Sequence, residues 1–220
     1  MAKGILALWM DVAPAEEDEV TEWYIREHIP DRIAVPTYVR ARRFKARQGA
    51  GYVAIYDATS VAGLSHAGYL ALLGNISEWG LRMRGAFSGT ARGTFRCQSS
   101  VAAGEGSSIA TLRFRASSAD AHAAIAADLV PRITASRGMV ACELWVAAPE
   151  QRARMDELRI TGKADAQVDD VLLIEGTGPA AVDAVLGTLA PELSVRGTAD
   201  LVIGTYAYQY GISKLPPSEE

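Results

Sequence analysis

The chain has 220 residues, 49% of them apolar and 22% charged, so it can bury a substantial core; its formal net charge is −4, with both signs mixed. No lysine/arginine block marks a nucleic-acid surface, and no acidic run marks a tail. Every apolar stretch falls short of the roughly 20 residues that cross a bilayer, so no membrane association is expected.

The first apolar run, Gly4-Ile-Leu-Ala-Leu-Trp-Met10, reads as a strand covered on both faces. Asp11 closes it, and Glu16, Glu17, Asp18 and Glu19 follow, where a secretory leader needs a small-residue cleavage site. Residues 15–28 read as a helix. Its acidic first turns suit the helix dipole. Val20, Trp23, Tyr24 and Ile25 form its apolar side, and Pro30 and Pro36 bracket its end. Strands follow over 38–46 and 52–58, joined by a glycine-containing hairpin loop over 47–51. The basic run Arg40, Arg42, Arg43, Lys45 and Arg47 lies there and is expected to be a strand with solvated arginines. A helix over 61–73, a second over 79–87 and a strand over 90–99 complete a β-α-β-β-α-β order.

The small, polar segment 101–108 is the best linker, and beyond it the order restarts. Strands are expected over 109–115, 139–147, 168–176 and 201–210, with helices over 118–129 and 179–189 and an excursion over 148–167. Arg32-Ile33-Ala34 before Val39-x-Ala41 is echoed 100 residues later by Arg132-Ile133-Thr134 before Met139-x-Ala141. The expected domains are a first ferredoxin-like repeat over 1–104, a second over 105–212, and a flexible tail over 213–220. Cys97 and Cys142, far apart in strand-like runs, read as buried thiols of a reducing, cytoplasmic compartment.

A sheet of this topology carries both helices on one face and must cover the other. The expected fold is therefore α+β: two ferredoxin-like β-α-β-β-α-β repeats with antiparallel sheets packed face to face as an α/β barrel. Alternation along each strand sorts the residues. Leu6, Leu8 and Met10 go to the helices, with Ile5, Ala7, Trp9 and Asp11 inside. Val53 and Ile55 go to the helices, with Tyr52 and Tyr56 inside. Leu112 and Phe114 leave Thr111 and Arg113 inside, and Leu172 and Ile174 leave Val171, Leu173 and Glu175. Tyr206, Tyr208 and Tyr210 share one face. An interior of this kind suits a small aromatic or anionic ligand, unless it is a filled core with tyrosine hydroxyls at the rim.

The run Trp23-Tyr24-Ile-Arg-Glu27-His28-Ile-Pro30-Asp-Arg32 resembles the dimeric α/β-barrel superfamily, in particular its EthD-like and uncharacterised members. The resemblance covers the first half; the second matches only in element order, with Asp128-Leu129 near the place of the histidine. Members of that superfamily include cofactor-independent monooxygenases, muconolactone-type isomerases, polyketide cyclases and haem enzymes, so the resemblance implies a fold and leaves the chemistry open.

His28 is the sharpest catalytic candidate. It lies one helical turn after Tyr24, its expected partner, and an imidazole can move protons near neutral pH. The alternative is a histidine that caps the helix end. Glu175 is a second candidate, as general base. Trp9, Tyr56, Arg113, Tyr206 and Tyr208 are the expected binding walls, Arg113 either clamping a carboxylate or pairing with Glu175. His66 and His122 read as ordinary surface or packing residues. Three dispersed histidines give no metal-binding spacing, and neither a dinucleotide fingerprint, a Walker loop nor a nucleophile elbow occurs. No cofactor and no metal are expected, although one histidine is enough for a haem. The leading expectation is a cofactor-independent isomerase, lyase or cyclase working by proton transfer on a carbonyl, lactone or phenol. A cofactor-free monooxygenase and a non-catalytic ligand carrier are the alternatives. The expected partner is a small molecule, with no nucleic acid; homodimerisation is left open.

Overall fold

A computed structural model describes residues 2–49, 51–158 and 165–214. In the first half, β1 (Gly4–Val12) leads through α1 (Glu17–Trp23), a π turn (Tyr24–His28) and α2 (Ile29–Ala34) to β2 (Tyr38–Ala46) and β3 (Gly51–Ala58). Helices α3 (Ala67–Gly74) and α4 (Glu78–Met83) then bring the chain to β4 (Phe87–Ala102). The second half runs β5 (Ser108–Ala116), α5 (Ala119–Ala124), a π turn (Ile125–Leu129), α6 (Val130–Thr134) and β6 (Met139–Ala147). It continues through α7 (Pro149–Glu157), the short β7 (Ala166–Gln167), β8 (Asp170–Gly176), α8 (Pro179–Val195) and β9 (Thr198–Ser213).

The strand order is β4-β1-β3-β2 in one half and β9-β5-β8-β6 in the other, the same arrangement twice. The halves meet edge to edge: β2 pairs with β9, and β4 with β6. The expected pair of facing sheets is therefore one continuous antiparallel barrel, whose closure leaves none of its strands with an open edge. β7 adds to β4 in parallel outside that ring.

Three cores follow. Ile5, Ala7, Trp9, Phe44, Val53, Ile55, Phe95, Trp145, Val171 and Leu173 fill the barrel. The first-half helices pack on Leu6, Met10, Tyr52, Ala54 and Tyr56, and the second-half helices on Ala110, Leu112, Phe114, Leu172 and Ile174. The alternation expected for β1, β5 and β8 holds. That of β3 is reversed: Val53 and Ile55 point into the barrel, while Tyr52 and Tyr56 face the helices. On β9, a register shift opposite Arg43/Phe44 separates the tyrosines: Tyr206 joins the interior core and Tyr210 packs on the first-half helix side.

The last strand of each half carries Gly-Thr-aromatic: Gly93-Thr94-Phe95 in β4 and Gly204-Thr205-Tyr206 in β9. A Cβ on Gly93 would lie 2.0 Å from the Phe95 ring, and one on Gly204 would lie 2.2 Å from the Tyr206 hydroxyl. In both strands the aromatic ring folds back over a residue that must lack a side chain.

Pro30 does not end the first helix. The π turn lets the Ile29 N–H reach the Tyr24 carbonyl five residues back, and the chain re-enters α-helix with Pro30 in its first turn, where no N–H is needed. The same device recurs at Val130 and Pro131. Arg42 and Arg43, expected in solvent, are 3% and 1% exposed. Arg42 forms a buried ion pair with Glu175 at 2.8 Å, and the Arg43 guanidinium lies over the rings of Tyr24 and Tyr52. The linker shortens to 103–107, because β4 extends to Ala102. Of the expected tail, Ser213 ends β9 and Lys214 is held by a backbone bond to Val39; 215–220 lie outside the described residues, as do Ala50 of the hairpin loop and 159–164 of the excursion. Among the described residues, no helix is long and apolar enough to cross a membrane.

Closure makes each half dependent on the other. Residues 1–104 produced alone would bare the apolar interior face and the free edges of β2 and β4. Sedimentation should show them self-associated or precipitated; a monomeric, folded first half would show that the ring is dispensable.

Candidate functional site

A cavity of about 840 Å³ lies outside the barrel, between the first-half sheet and its helices. Its size is that of a small-molecule site. Leu6, Leu8 and Met10 of β1 form the floor. Trp23, Tyr24, His28 and Arg32 enter from the first helix, Tyr56 from β3, and Tyr69 and Leu73 from α3. Arg84, Phe87 and Arg92 complete the wall with Asp165 and Ala166.

The π turn places the imidazole. It presents His28 between Trp23 and Tyr24, with ring centroids at 4.2 Å and 4.5 Å, and 6.3 Å from Tyr56. The Trp23 N–H donates to Glu27 at 2.8 Å, and the Tyr24 hydroxyl donates to the Met10 sulfur at 3.4 Å, so both flanking rings are fixed. Arg32 donates to the His28 carbonyl at 2.9 Å. His28 is half-buried, as expected of a group on a cavity wall. Its Nδ1 is buried without a hydrogen-bond partner. Burial holds His28 well below the ordinary histidine value, and the guanidinium charges of Arg32, Arg43 and Arg84 push the same way. At pH 7 it is neutral and can accept a proton.

The Tyr56 hydroxyl is likewise buried with no partner, and burial raises its phenol well above the ordinary value. Arg92, 4% exposed, pairs with Asp156 of α7 and, at 3.1 Å, with Asp165. The excursion thus belongs to the site: Met155 of α7 joins the first-half core, and Gln151 accepts a hydrogen bond from Ser65. The second half has no such polar wall at the equivalent place. Its π turn puts Ile125 where Tyr24 stands and Leu129 where His28 stands, packed with Leu144, Leu189 and Leu193.

Of the expected site residues, the structure brings His28, Tyr24 and Tyr56 together, Tyr56 from the face opposite to the one expected. The others stand elsewhere. Trp9 donates to Thr111 at 3.0 Å inside the barrel, with the Arg113 guanidinium over its ring and Tyr206 in the same core. Arg113 therefore does not pair with Glu175. Glu175 is taken up by Arg42 and by the Gly106 N–H at 2.7 Å, which makes it a structural anchor in place of a general base. Tyr208 is 44% exposed, edge-on to Phe44. The interior expected to hold the ligand is instead the filled core. His66 caps α3 by accepting from the Gly68 N–H, and His122 bonds Asp170 at 2.9 Å. Burial pushes the Cys97 thiol up to about 12 and the buried Cys142 thiol upward as well, so neither is poised as a nucleophile. Sequence reasoning gave no role to Arg32, Arg84, Arg92, Trp23 or Tyr69. One signal was available: a proline two residues after His28 and again two after Leu129, inside helical patterns, marks both π turns.

Among the described residues no group of three or more His, Cys, Asp or Glu could hold a metal ion. No family model matches the chain, and no curated relative matches it at a significant level. Solved structures do share its fold. An anthrone oxidase-like protein superposes with a TM-score of 0.68 at 8% identity, covering 96% of this chain and 93% of its own. A protein described as a candidate monooxygenase from Lactobacillus acidophilus NCFM gives 0.62 at 11% identity, with 97% of each chain covered. A chlorite dismutase-like protein gives 0.58 at 9%, covering 95% and 96%. The fold is thus a ferredoxin-like α/β barrel, closed within one chain.

A depressed histidine makes stability depend on pH with a fixed sign. Above about 6.5, the unfolded-state value, the imidazole is neutral in both states. Below it the unfolded chain takes up a proton that folded His28 does not, so stability falls as pH falls, by at most about 1.4 kcal/mol per pH unit until the folded value is reached. Urea unfolding at pH 7.5 and 5.5 should show this loss in the wild type and a smaller one in His28→Leu. Equal losses in both would show that His28 titrates normally.

Proposed function

We propose that the chain is a cofactor-independent enzyme acting on a planar, oxygen-bearing aromatic small molecule, with His28 as the proton acceptor and dioxygen as the oxidant. The observation that carries this is a neutral imidazole on the wall of an apolar cavity, flanked by Trp23 and Tyr24 and with a buried Nδ1 that takes no hydrogen bond. The likeness in fold to an anthrone oxidase-like protein and a candidate monooxygenase supports the choice of dioxygen. At their low identities this support is by analogy of fold.

The proposed step balances as follows. His28 takes a proton from an activated ring CH₂, leaving a resonance-stabilised anion. The anion adds dioxygen and takes the proton back as a hydroperoxide. Loss of the second C–H proton and cleavage of the O–O bond give a carbonyl and water. Trp23 and the leucine floor hold the ring system. Tyr24 fixes the imidazole from one side.

A second reading uses the same imidazole without dioxygen, as an isomerase, lyase or cyclase. The pocket chemistry favours it equally up to the first proton transfer; turnover under nitrogen would select it. A ligand carrier would retain a bound molecule through purification and turn nothing over. Binding of added haem with an absorbance band lost in His28→Ala would instead make His28 an axial ligand.

The test is an oxygen-electrode screen of anthrones and phenols on metal-chelated protein. One dioxygen consumed per carbonyl formed is the expected result. His28→Ala should lower kcat by roughly 10²–10⁴-fold, the usual size of general acid–base assistance, and His28→Gln, which cannot act as a base, should be as slow. Near-normal turnover in both variants would remove His28 from the mechanism.

A further inference from the structure

Two features of the cavity point to a ligand. The Tyr56 hydroxyl is sealed from solvent and bonds to nothing in the protein, although Tyr56 lines the cavity and is 1% exposed. Leaving a buried hydroxyl unsatisfied costs free energy that a phenylalanine would avoid. Arg32 lines the same cavity and donates to the neutral His28 carbonyl. Arg84 lines the wall as well, and Arg43 lies behind the Tyr24 ring at 4.4 Å. The acid on the wall, Asp165, is paired with Arg92. The guanidiniums of Arg32, Arg43 and Arg84 all act on the His28 imidazole, and the Tyr56 hydroxyl, on the ring next to it, is a donor without an acceptor in the protein.

We propose that the cavity holds its substrate as an oxyanion, a phenolate or enolate whose oxygen accepts a hydrogen bond from the Tyr56 hydroxyl and lies in the field of Arg32 and its neighbouring guanidiniums. Positive charge that disfavours a protonated imidazole favours a negative oxygen at the same place. The two effects are one field acting on opposite charges. This resolves a difficulty in the site: a weakly basic imidazole removes a proton readily only where the resulting anion is stabilised. Tyr56 is fit for the donor role because burial keeps its own proton in place.

The inference rests on the reading that this cavity is the working site, and it does not require turnover. The probe is 2-naphthol, compared with naphthalene, which has the same ring system and no oxygen. Naphtholate absorbs at longer wavelength than naphthol, so the ionisation state of the bound molecule is read directly. At pH 7 the wild type should bind 2-naphthol more tightly than naphthalene and show the naphtholate band. Tyr56→Phe should weaken naphthol binding about 10-fold or more, as expected of a hydrogen bond to a charged acceptor, leave naphthalene binding unchanged, and keep or raise the melting temperature. Arg32→Gln should lower the bound naphtholate fraction. Naphthol bound no better than naphthalene, or bound only in its neutral form, would overturn the proposal. So would a Tyr56→Phe variant with lowered stability and unchanged naphthol affinity. These outcomes are separate from loss of the oxygenase reading, which turns on dioxygen uptake and His28.

Discussion

Backbone hydrogen bonding around a closed ring is the constraint from which the rest of the structure follows. Each half contributes a four-stranded sheet with two unpaired edges, and the seams β2–β9 and β4–β6 satisfy all four. Closure turns one face of every strand inward, and a ring of this size is narrow enough for side chains to fill. Trp9, Phe44, Phe95 and Trp145 do so, and the Phe95 ring lies tilted against Trp145 with centroids 5.8 Å apart. Room for a ligand is then found where the helices meet the outer face of the sheet. The barrel interior is filled, and the cavity lies on its outer face.

The two halves solve the same packing problem in different ways. Both break their first helix with a π turn and restart it on a proline. In the second half the residues so presented are Ile125 and Leu129, which close the helix-sheet interface. In the first half they are Tyr24 and His28, and the interface stays open. A π turn is thus compatible with a fully apolar environment; the imidazole, the buried hydroxyl of Tyr56 and the nearby guanidiniums are extra features that the fold does not require. The halves also cooperate, because α7, an insertion in the second, supplies Met155 and the Asp156 that pairs with Arg92 to the first.

Much of the architecture was legible from order and periodicity. β2 and β6 fall on the residues expected, and the alternation of β1, β5 and β8 placed their faces correctly. β3 failed for a physical reason: Tyr52-Val-Ala-Ile-Tyr56 is apolar on both faces, so alternation gives the period without its phase. The tyrosines of β9 failed because a register shift flips the sequence parity part way along the strand. Arg42 and Arg43 read as solvated because their partners, Glu175 and the Tyr24 and Tyr52 rings, are brought in by the fold. The juxtaposition of Tyr24 and His28 on the cavity wall was legible from their spacing of one turn. The cavity walls were not, since Arg84, Arg92 and Asp165 come from three separate segments, and Trp9, Arg113 and Tyr206 stand in the barrel interior, away from this cavity.

The leucine-filled interface of the second half has a consequence for how such a chain can change. It is an apolar counterpart of the cavity side, with the same helix break and an equivalent sheet beneath, filled by leucine side chains. Shortening residues such as Leu129, Leu144 or Leu189 would remove packing from a region that carries none of the proposed chemistry. A protein built this way keeps a spare template in the same molecule, so a second binding specificity can be explored there while the first remains intact.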